Sequence, residues 1–356
     1  MTSESPVPPS LSSTEEVSHR DDDFEGRWDR TCIFVFLHDN IHVVCVSSDG
    51  TMRKWDCDKR LPVGEPWEGE GGGVLSLALS PDGKTIACGR MQGSVQLWDM
   101  DGKMLESNFR MDHRGVKSLS WSPSGSHLAS GFNDGIILIR EAANGEVEMK
   151  PIHSNQDSVW SLAYSPSGDR IASGGMNQTI CIWDSNAGEL LVGPIKGLGL
   201  GVTSVVWSSD SSKLYSASDE FARVFDSVSG TLLHDFEHDG LVNCIALSPT
   251  NNLLACVGYG VAQLWDAETH QPLSQPLNHD SDRELLCCVS FSRDGQYLAC
   301  GGDDSKVTLW MVTDSDIAPH PSSYLNVDAT KPFARHGSDG IMGEGYASPY
   351  NNFFRV

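Results

Sequence analysis

A unit of roughly forty residues recurs along this chain, and a repeat of that size dictates architecture before any single element is assigned. Six stretches are variants of one pattern. They are GVLSLALSPDGKTIACGRMQGSVQLWD from Gly73, GVKSLSWSPSGSHLASGFNDGIILIRE from Gly115 and SVWSLAYSPSGDRIASGGMNQTICIWD from Ser158. They continue as GVTSVVWSSDSSKLYSASDEFARVFD from Gly201, LVNCIALSPTNNLLACVGYGVAQLWD from Leu241 and LLCCVSFSRDGQYLACGGDDSKVTLW from Leu285. A more divergent copy, RTCIFVFLHDNIHVVCVSSDGTMRKWD from Arg30, opens the series. Aligned on the residue near the end of each copy, they place Trp55, Trp98, Arg140, Trp183, Phe225, Trp265 and Trp310 at intervals of 43, 42, 43, 42, 40 and 45 residues. Unrelated loops would not keep that spacing.

Inside a unit, short alternating stretches are broken by turn residues. In the second copy, Val74–Leu79 precedes Ser80-Pro81-Asp82-Gly83, then come Thr85-Ile86-Ala87-Cys88, a turn at Met91-Gln92-Gly93, and Ser94–Trp98. Period-two alternation bounded by Pro, Asp and Gly predicts hairpin-connected strands. A more polar fourth strand fits after the aromatic, as at Leu61-Pro62-Val63. Each unit is then a four-stranded antiparallel meander, too thin to hide its own faces and edges. Seven of them closed radially pack face against face. The expected fold is all-β, a seven-bladed β-propeller of four-stranded antiparallel blades.

Period and signature resemble the WD40 family, with the Trp-Asp pair intact at Trp55-Asp56, Trp98-Asp99, Trp183-Asp184 and Trp265-Asp266. The resemblance covers residues 24–312. It implies a buried polar network in each blade, joining an Asp, a His, a Ser or Thr and the Trp. The Asp position here holds Asp49, Gln92, Asp134, Asn177, Asp219, Tyr259 and Asp304; the Ser position holds Cys45, Cys88, Ser130, Ser173, Ser216, Cys256 and Cys300. His113 and His238 occupy the His position, His153 and His279 lie a few residues upstream of it, and Arg27, Glu70 and Leu198 take it elsewhere. No blade carries all four preferred residues. At Arg140 the expectation is an outward guanidinium whose stem covers apolar surface, with a charged contact to a partner as the alternative. Cys is read as a small core substitute for Ser, and adjacent Cys287 and Cys288 point to opposite faces of a strand and cannot jointly grip a metal.

Charge and missing motifs restrict function. The chain of 356 residues has 48 acidic and 25 basic side chains, a formal net charge of -23. That excludes a general nucleic-acid binder and disfavours anionic lipid. It favours basic proteins or segments as partners, or serves solubility alone. There is no P-loop, nucleophile elbow or paired-His zinc motif, no C-x-x-C, and no apolar run of membrane-spanning length. The expectation is a non-enzyme with no cofactor and no metal. The start of the sequence reads as lacking a leader, which makes the expected location cytoplasmic or nuclear.

Turns between second and third strands and entries to the first strands converge on one end of such a ring. In WD40 proteins that end receives peptides or protein segments, so the resemblance implies a protein-interaction scaffold or adaptor. Its expected contacts are Trp28, Arg30, Met91, Asn133, Met176, Leu241 and Asp303, unless Met91 and Met176 fold over neighbouring blades instead. A loop-built enzyme site, or a structural subunit with an apolar side, is the alternative. Residues 1–23 read as a flexible acidic arm, 24–312 as the propeller and 313–356 as a mostly irregular tail. The family pattern favours closure of the last blade by an outer strand around Val17–Phe24, with Tyr324-Leu325-Asn326-Val327 as the rival.

Overall fold

The computed structural model describes residues 33–46, 50–109, 115–250, 252–259, 261–273, 276–278, 285–302, 306–312 and 317–326. These form seven antiparallel sheets of four strands each, arranged as a ring, with no helix among the described residues. Every sheet is a meander of four consecutive strands. Blade 1 comprises Phe34–Phe36, His42–Val46, Met52–Asp56 and Leu61–Trp67, and blade 4 comprises Val159–Tyr164, Arg170–Gly175, Ile180–Asp184 and Leu190–Ile195. The first strand of each blade is innermost.

The core is divided among the joints between blades. Seven apolar clusters occur, and each draws its residues from two neighbouring sheets. Between blades 2 and 3, for example, Val95, Leu97 and Phe109 meet Leu119, Leu128 and Leu138. Glycine permits the closest approach. A Cβ on Gly131 would stand 2.6 Å from Val159 Cγ1 of the next inner strand, and one on Gly174 would stand 2.5 Å from Val202 Cγ1. The innermost strands are bulged as well. Register shifts after the first residue in blades 2, 3, 4, 6 and 7. Such a bulge re-aims the extra residue, here Leu75, Lys117, Trp160, Asn243 or Cys287.

The Asp that follows the aromatic at the end of the third strand builds the next turn. Asp184 Oδ1 accepts the Asn186 and Ala187 amides at 2.8 Å each, and Asp226 Oδ1 accepts those of Val228 and Ser229 at 3.1 and 2.8 Å. These bonds to the ionised form hold the Asp226 carboxyl below its usual value.

Ring closure departs from the expected arrangement. The outer strand of blade 7 is Ile317–Asn326, in register with the third strand through Thr308↔Tyr324 and Val307↔Leu325. It takes in most of the rival segment, Tyr324-Leu325-Asn326-Val327. Residues 17–24, expected in that place, lie outside the described residues. An outermost strand is bonded on one side only and so tolerates Pro319 and Pro321. Among the described residues, the ring closes by packing. Phe34, Phe36 and Trp55 of blade 1 meet Ala299, Val307 and Leu309 of blade 7.

Candidate functional site: one end of the ring

Turns between second and third strands lie at the same end as the entries to the inner strands, and hydrogen bonds knit the two across blade boundaries. Gly115 N donates to Met91 O at 3.0 Å, and Asn133 N donates to Gly115 O at 3.2 Å. Ser158 Oγ donates to Asn133 Oδ1 at 3.0 Å, while Met176 N donates to Ser158 O at 3.0 Å. Met91, Asn133 and Met176 are thereby joined into one continuous path over blades 2, 3 and 4. Met176 is 42% exposed, Asn133 is exposed, and Met91 is half-buried with its Cε 3.6 Å from a Cβ position on Gly73. Met91 thus leans over its own blade, and Met176 faces outward. Leu241 sits half-buried at the entry to blade 6, two joints away from this path, beside the blade 5 turn where Val242 N donates to Asp219 O at 2.8 Å. Trp28, Arg30 and Asp303 lie outside the described residues.

Sequence reasoning missed the bulged residues beside this path. Trp160 lies against Gly201 at the entry to blade 5, and Leu75 Cδ1 is 3.3 Å from a Cβ position on Gly115. Lys117 stands between them in chain order, and desolvation lowers its ammonium to about 8. The signal was present: each follows the first apolar residue of an inner strand, where an alternating pattern gains one extra position. Leu200 and Tyr259, 45% and 44% exposed, add apolar surface to the same end.

The expected polar network divides in an orderly way. In blade 4, Trp183 Nε1 donates to Ser173 Oγ at 2.8 Å, and Ser173 Oγ donates to Gln156 Oε1 at 2.6 Å. Gln156 Nε2 continues to Thr179 O at 2.9 Å. Gln156 therefore holds the place expected for a histidine, while His153 is exposed on the outer strand. Blades 1, 2 and 6 keep Trp55, Trp98 and Trp265 but have Cys45, Cys88 and Cys256 for Ser, and the three indole N–H groups find no partner among the described residues. Blades 3 and 5 show the converse: Ser130 and Ser216 remain, but Arg140 and Phe225 replace Trp, and neither hydroxyl has a partner among the described residues. In blade 7, Cys300 and Trp310 are both buried. His113, His279, Asp49 and Asp304 lie outside the described residues.

The remaining members serve other contacts. Asp134 is exposed and receives a long 3.4 Å bond from Ile136 N in its own turn. Asp219 is held instead by Arg223 in a two-point ion pair, Nη1 to Oδ1 at 2.7 Å and Nη2 to Oδ2 at 2.9 Å. Arg223 also covers the Phe221 ring, 4.9 Å from its centroid. His238 is buried in blade 6, and desolvation lowers its pKa, opposed by Asp239 and by a bond to the Cys256 backbone. Two buried cations complete the account. Arg140 does not turn outward: it is 6% exposed, donates to Gly145 O at 2.6 Å and lies 5.8 Å from the Phe109 ring centroid. Arg90, unnoticed in the sequence, is 1% exposed and bridges blades by donating to Gly50 O and Gly72 O at 3.0 Å each and to Gln96 Oε1 at 3.0 Å. Carbonyl dipoles take the place of a carboxylate there. Among the described residues no His, Cys, Asp or Glu grouping could hold a metal, and no helix is long and apolar enough to cross a membrane.

Seven consecutive meanders with turn and entry segments gathered at one end define a repeat propeller with a continuous loop-built face. The chain belongs to the WD40 family, described as WD domain, G-beta repeat, which matches residues 62–99, 106–140, 148–184, 194–226, 230–266 and 271–311. Each match begins within or just before an outer strand and ends at or near the Trp-Asp position of the following blade, so the first three strands of blade 1 stand outside them. Among characterised proteins, the chain is similar to human "U3 small nucleolar RNA-associated protein 4 homolog", 36% identical over 24% of this chain and 13% of that protein. It is also similar to the mouse "Target of rapamycin complex subunit LST8", 25% identical over 26% of this chain and 28% of the relative. "Small ribosomal subunit protein RACK1" of Drosophila melanogaster is 29% identical over 32% of this chain and 38% of its own length. The aligned regions span well under half of each relative.

Proposed function

We propose that this chain is a protein-interaction scaffold that receives a peptide or protein segment on the end carrying Met91, Asn133 and Met176. The observation that carries the reading is the continuous path Met91–Gly115–Asn133–Ser158–Met176, where exposed apolar and amide side chains rest on turns bonded from blade to blade. Apolar side chains held on a rigid, solvent-facing surface are what anchor residues require. Trp28, Arg30, Leu241 and Asp303 belong to the same proposed surface, as does Trp160. The two relatives named as a complex subunit and a ribosomal subunit protein support a role within assemblies. The net charge of -23 makes a basic segment the partner that electrostatic steering favours. The reading assigns no catalytic step, cofactor or direct nucleic-acid contact, and places the protein in the cytoplasm or nucleus.

The test is affinity capture from the native cell with the unaltered chain and with the double variant Met91→Ala, Met176→Ala. Loss of co-purifying proteins with an unchanged melting temperature is the expected result. Retention of every partner would refute the placement. A second reading, a structural subunit docked by its side, has its own support: Leu190 and Leu191 on the outer strand of blade 4, and Leu232 and Leu233 on that of blade 5, are 44–50% exposed. If Leu191→Asp with Leu233→Asp removes the partners and the methionine pair does not, the side is the docking surface.

A further inference from the structure

The end of the ring opposite the methionines holds a cavity between blades 3 and 4. At the joint of blades 4 and 5, Trp207 ends an inner strand and donates its Nε1 to Ala163 O at 2.9 Å. Arg170, the first residue of the second strand in blade 4, covers that ring at 5.1 Å from its centroid and donates to Ser227 Oγ and Ser211 O at 3.0 Å each. Aromatic and arginine fill that joint together. At the joint of blades 3 and 4, the same two places hold Tyr164 and His127. That joint holds a cavity of about 400 Å³, within the ~300–1,000 Å³ range of small-molecule sites.

The lining is rich in serine. In blades 2, 5 and 7 the first turn carries an Asp that accepts from the turn serine, Ser80 to Asp82 at 2.7 Å, Ser208 to Asp210 at 2.6 Å and Ser292 to Asp294 at 2.6 Å. Blades 3 and 4, which flank the cavity, have Ser124 and Ser167 in that place. A run of hydrogen bonds then leads from Ser122 Oγ to Ser124 Oγ (3.1 Å), Ser126 Oγ (2.7 Å), His127 Nδ1 (2.8 Å) and, from His127 Nε2, Glu148 Oε2 (2.8 Å). Each hydroxyl rotor donates or accepts as its neighbour requires, while Glu148, which only accepts, makes His127 Nε2 the donor and leaves Nδ1 of the neutral ring to accept from Ser126. Asn186 adds an amide, and the half-buried Tyr164 adds an aromatic face.

This chemistry selects among ligand classes. An anion would meet Glu148 with no lysine or arginine in the described lining. A cation would have to compete with His127 for the one carboxylate and would leave the hydroxyl run unused. A neutral ring bearing several hydroxyls uses everything present. We propose that the cavity between blades 3 and 4 binds a pyranose-type polyol, with Ser124, Ser126 and Asn186 exchanging hydrogen bonds with its hydroxyls, Glu148 accepting from a neighbouring pair, and Tyr164 lying against its apolar face.

The sugar could arrive free or as the terminal residue of a glycoconjugate, and the two sources separate experimentally. Saturation-transfer NMR on the full chain uses the methyl glycosides of glucose, mannose and galactose at about 10 mM, a concentration that fills a millimolar site. Binding to an albumin decorated with the same sugars is measured in parallel. At least one glycoside should receive saturation. Glu148→Gln should weaken it roughly tenfold through loss of a charge-assisted bond, and Tyr164→Trp should abolish it by restoring the filled joint. Both variants should keep the melting temperature. Binding of the decorated albumin where the free glycoside is silent supports the site and assigns it to glycoconjugates. Silence of all three glycosides and of the albumin, equal signals in the parent and both variants, or stronger binding of butylammonium than of any glycoside would overturn the proposal.

Discussion

Four successive joints of the ring are tied by serine, and the two that close it are tied by cysteine. Equivalent positions in the inner strands of blades 2–5 hold Ser76, Ser118, Ser161 and Ser204, third in the strands of blades 2–4 and first in that of blade 5. Each hydroxyl reaches the backbone of the following blade: Ser76 Oγ to Val116 O at 2.9 Å, Leu162 N to Ser118 Oγ at 2.7 Å, Val205 N to Ser161 Oγ at 3.0 Å, and Ser204 Oγ to Ile245 O at 3.4 Å. In blades 6 and 7 the position belongs to Cys244 and Cys288, and the contact across the closing joint is a long one, Cys288 Sγ to Phe34 O at 3.9 Å. A thiol is a weak donor. Near the turns, Arg293 approaches His38 Nδ1 at 3.1 Å and Asp294 N donates to Asn40 Oδ1 at 3.3 Å, both in exposed positions. The closing joint therefore depends on its apolar cluster more heavily than the serine-tied joints do. Continuous chain links every other pair of blades, whereas blades 7 and 1 meet only through packing and these few polar contacts among the described residues.

The sharpest way to break the comparison is to hollow both kinds of joint equally. Phe34→Ala removes a ring that is 3% exposed at the closing joint, and Phe132→Ala removes one that is fully buried at the joint of blades 2 and 3. Each should cost about 3–5 kcal/mol, read as a shift in the urea midpoint. The partition should differ. Phe34→Ala should speed hydrogen exchange selectively in Phe34–Phe36 and Leu286–Phe291, because that joint can open without unfolding a blade. Phe132→Ala should raise exchange across the ring. Equal patterns in the two variants would mean that closure is no weaker than the rest.

A smaller effect tests the serine belt. Ser161→Ala leaves the amide of the buried Val205 without its acceptor, and an orphaned buried donor costs about 1–3 kcal/mol. The unfolding midpoint should fall accordingly, and the Val205 amide should exchange faster. No change in either would remove hydrogen bonding as the distinction between the joints.

The number of blades was legible because repetition averages over local noise. Six clear copies fix the strand pattern even where Arg140 or Phe225 breaks the signature. Closure was not legible, because both candidate outer strands are compositionally poor: acids crowd the segment around Val17–Phe24, and prolines interrupt Ile317–Asn326. An edge strand needs partners on one side only, so its sequence is weakly constrained. The path through Met91, Asn133 and Met176 could be placed on one end from turn spacing alone. Trp160 and Lys117 could not, because strict alternation has no slot for a bulged residue. Gln156 escaped for a chemical reason: an amide both donates and accepts, and so replaces the expected imidazole between Ser173 and Thr179. It lies three residues before Val159, as His113 lies before Val116, and position would have found it where residue type did not.

The smallest expected effect is also the one with the opposite sign. Cys288→Ser restores at the closing joint the hydroxyl found in blades 2–5, within a position that is half-buried and next to Cys244. A hydroxyl is shorter than a thiol, so reaching Phe34 O requires the inner strands to approach by a few tenths of an ångström. Where they can, the new bond should stabilise by about 0.5–1.5 kcal/mol and slow exchange at Phe34–Phe36. Loss of stability would show that the larger sulfur atom is needed to fill the joint, and that cysteine is retained there for volume.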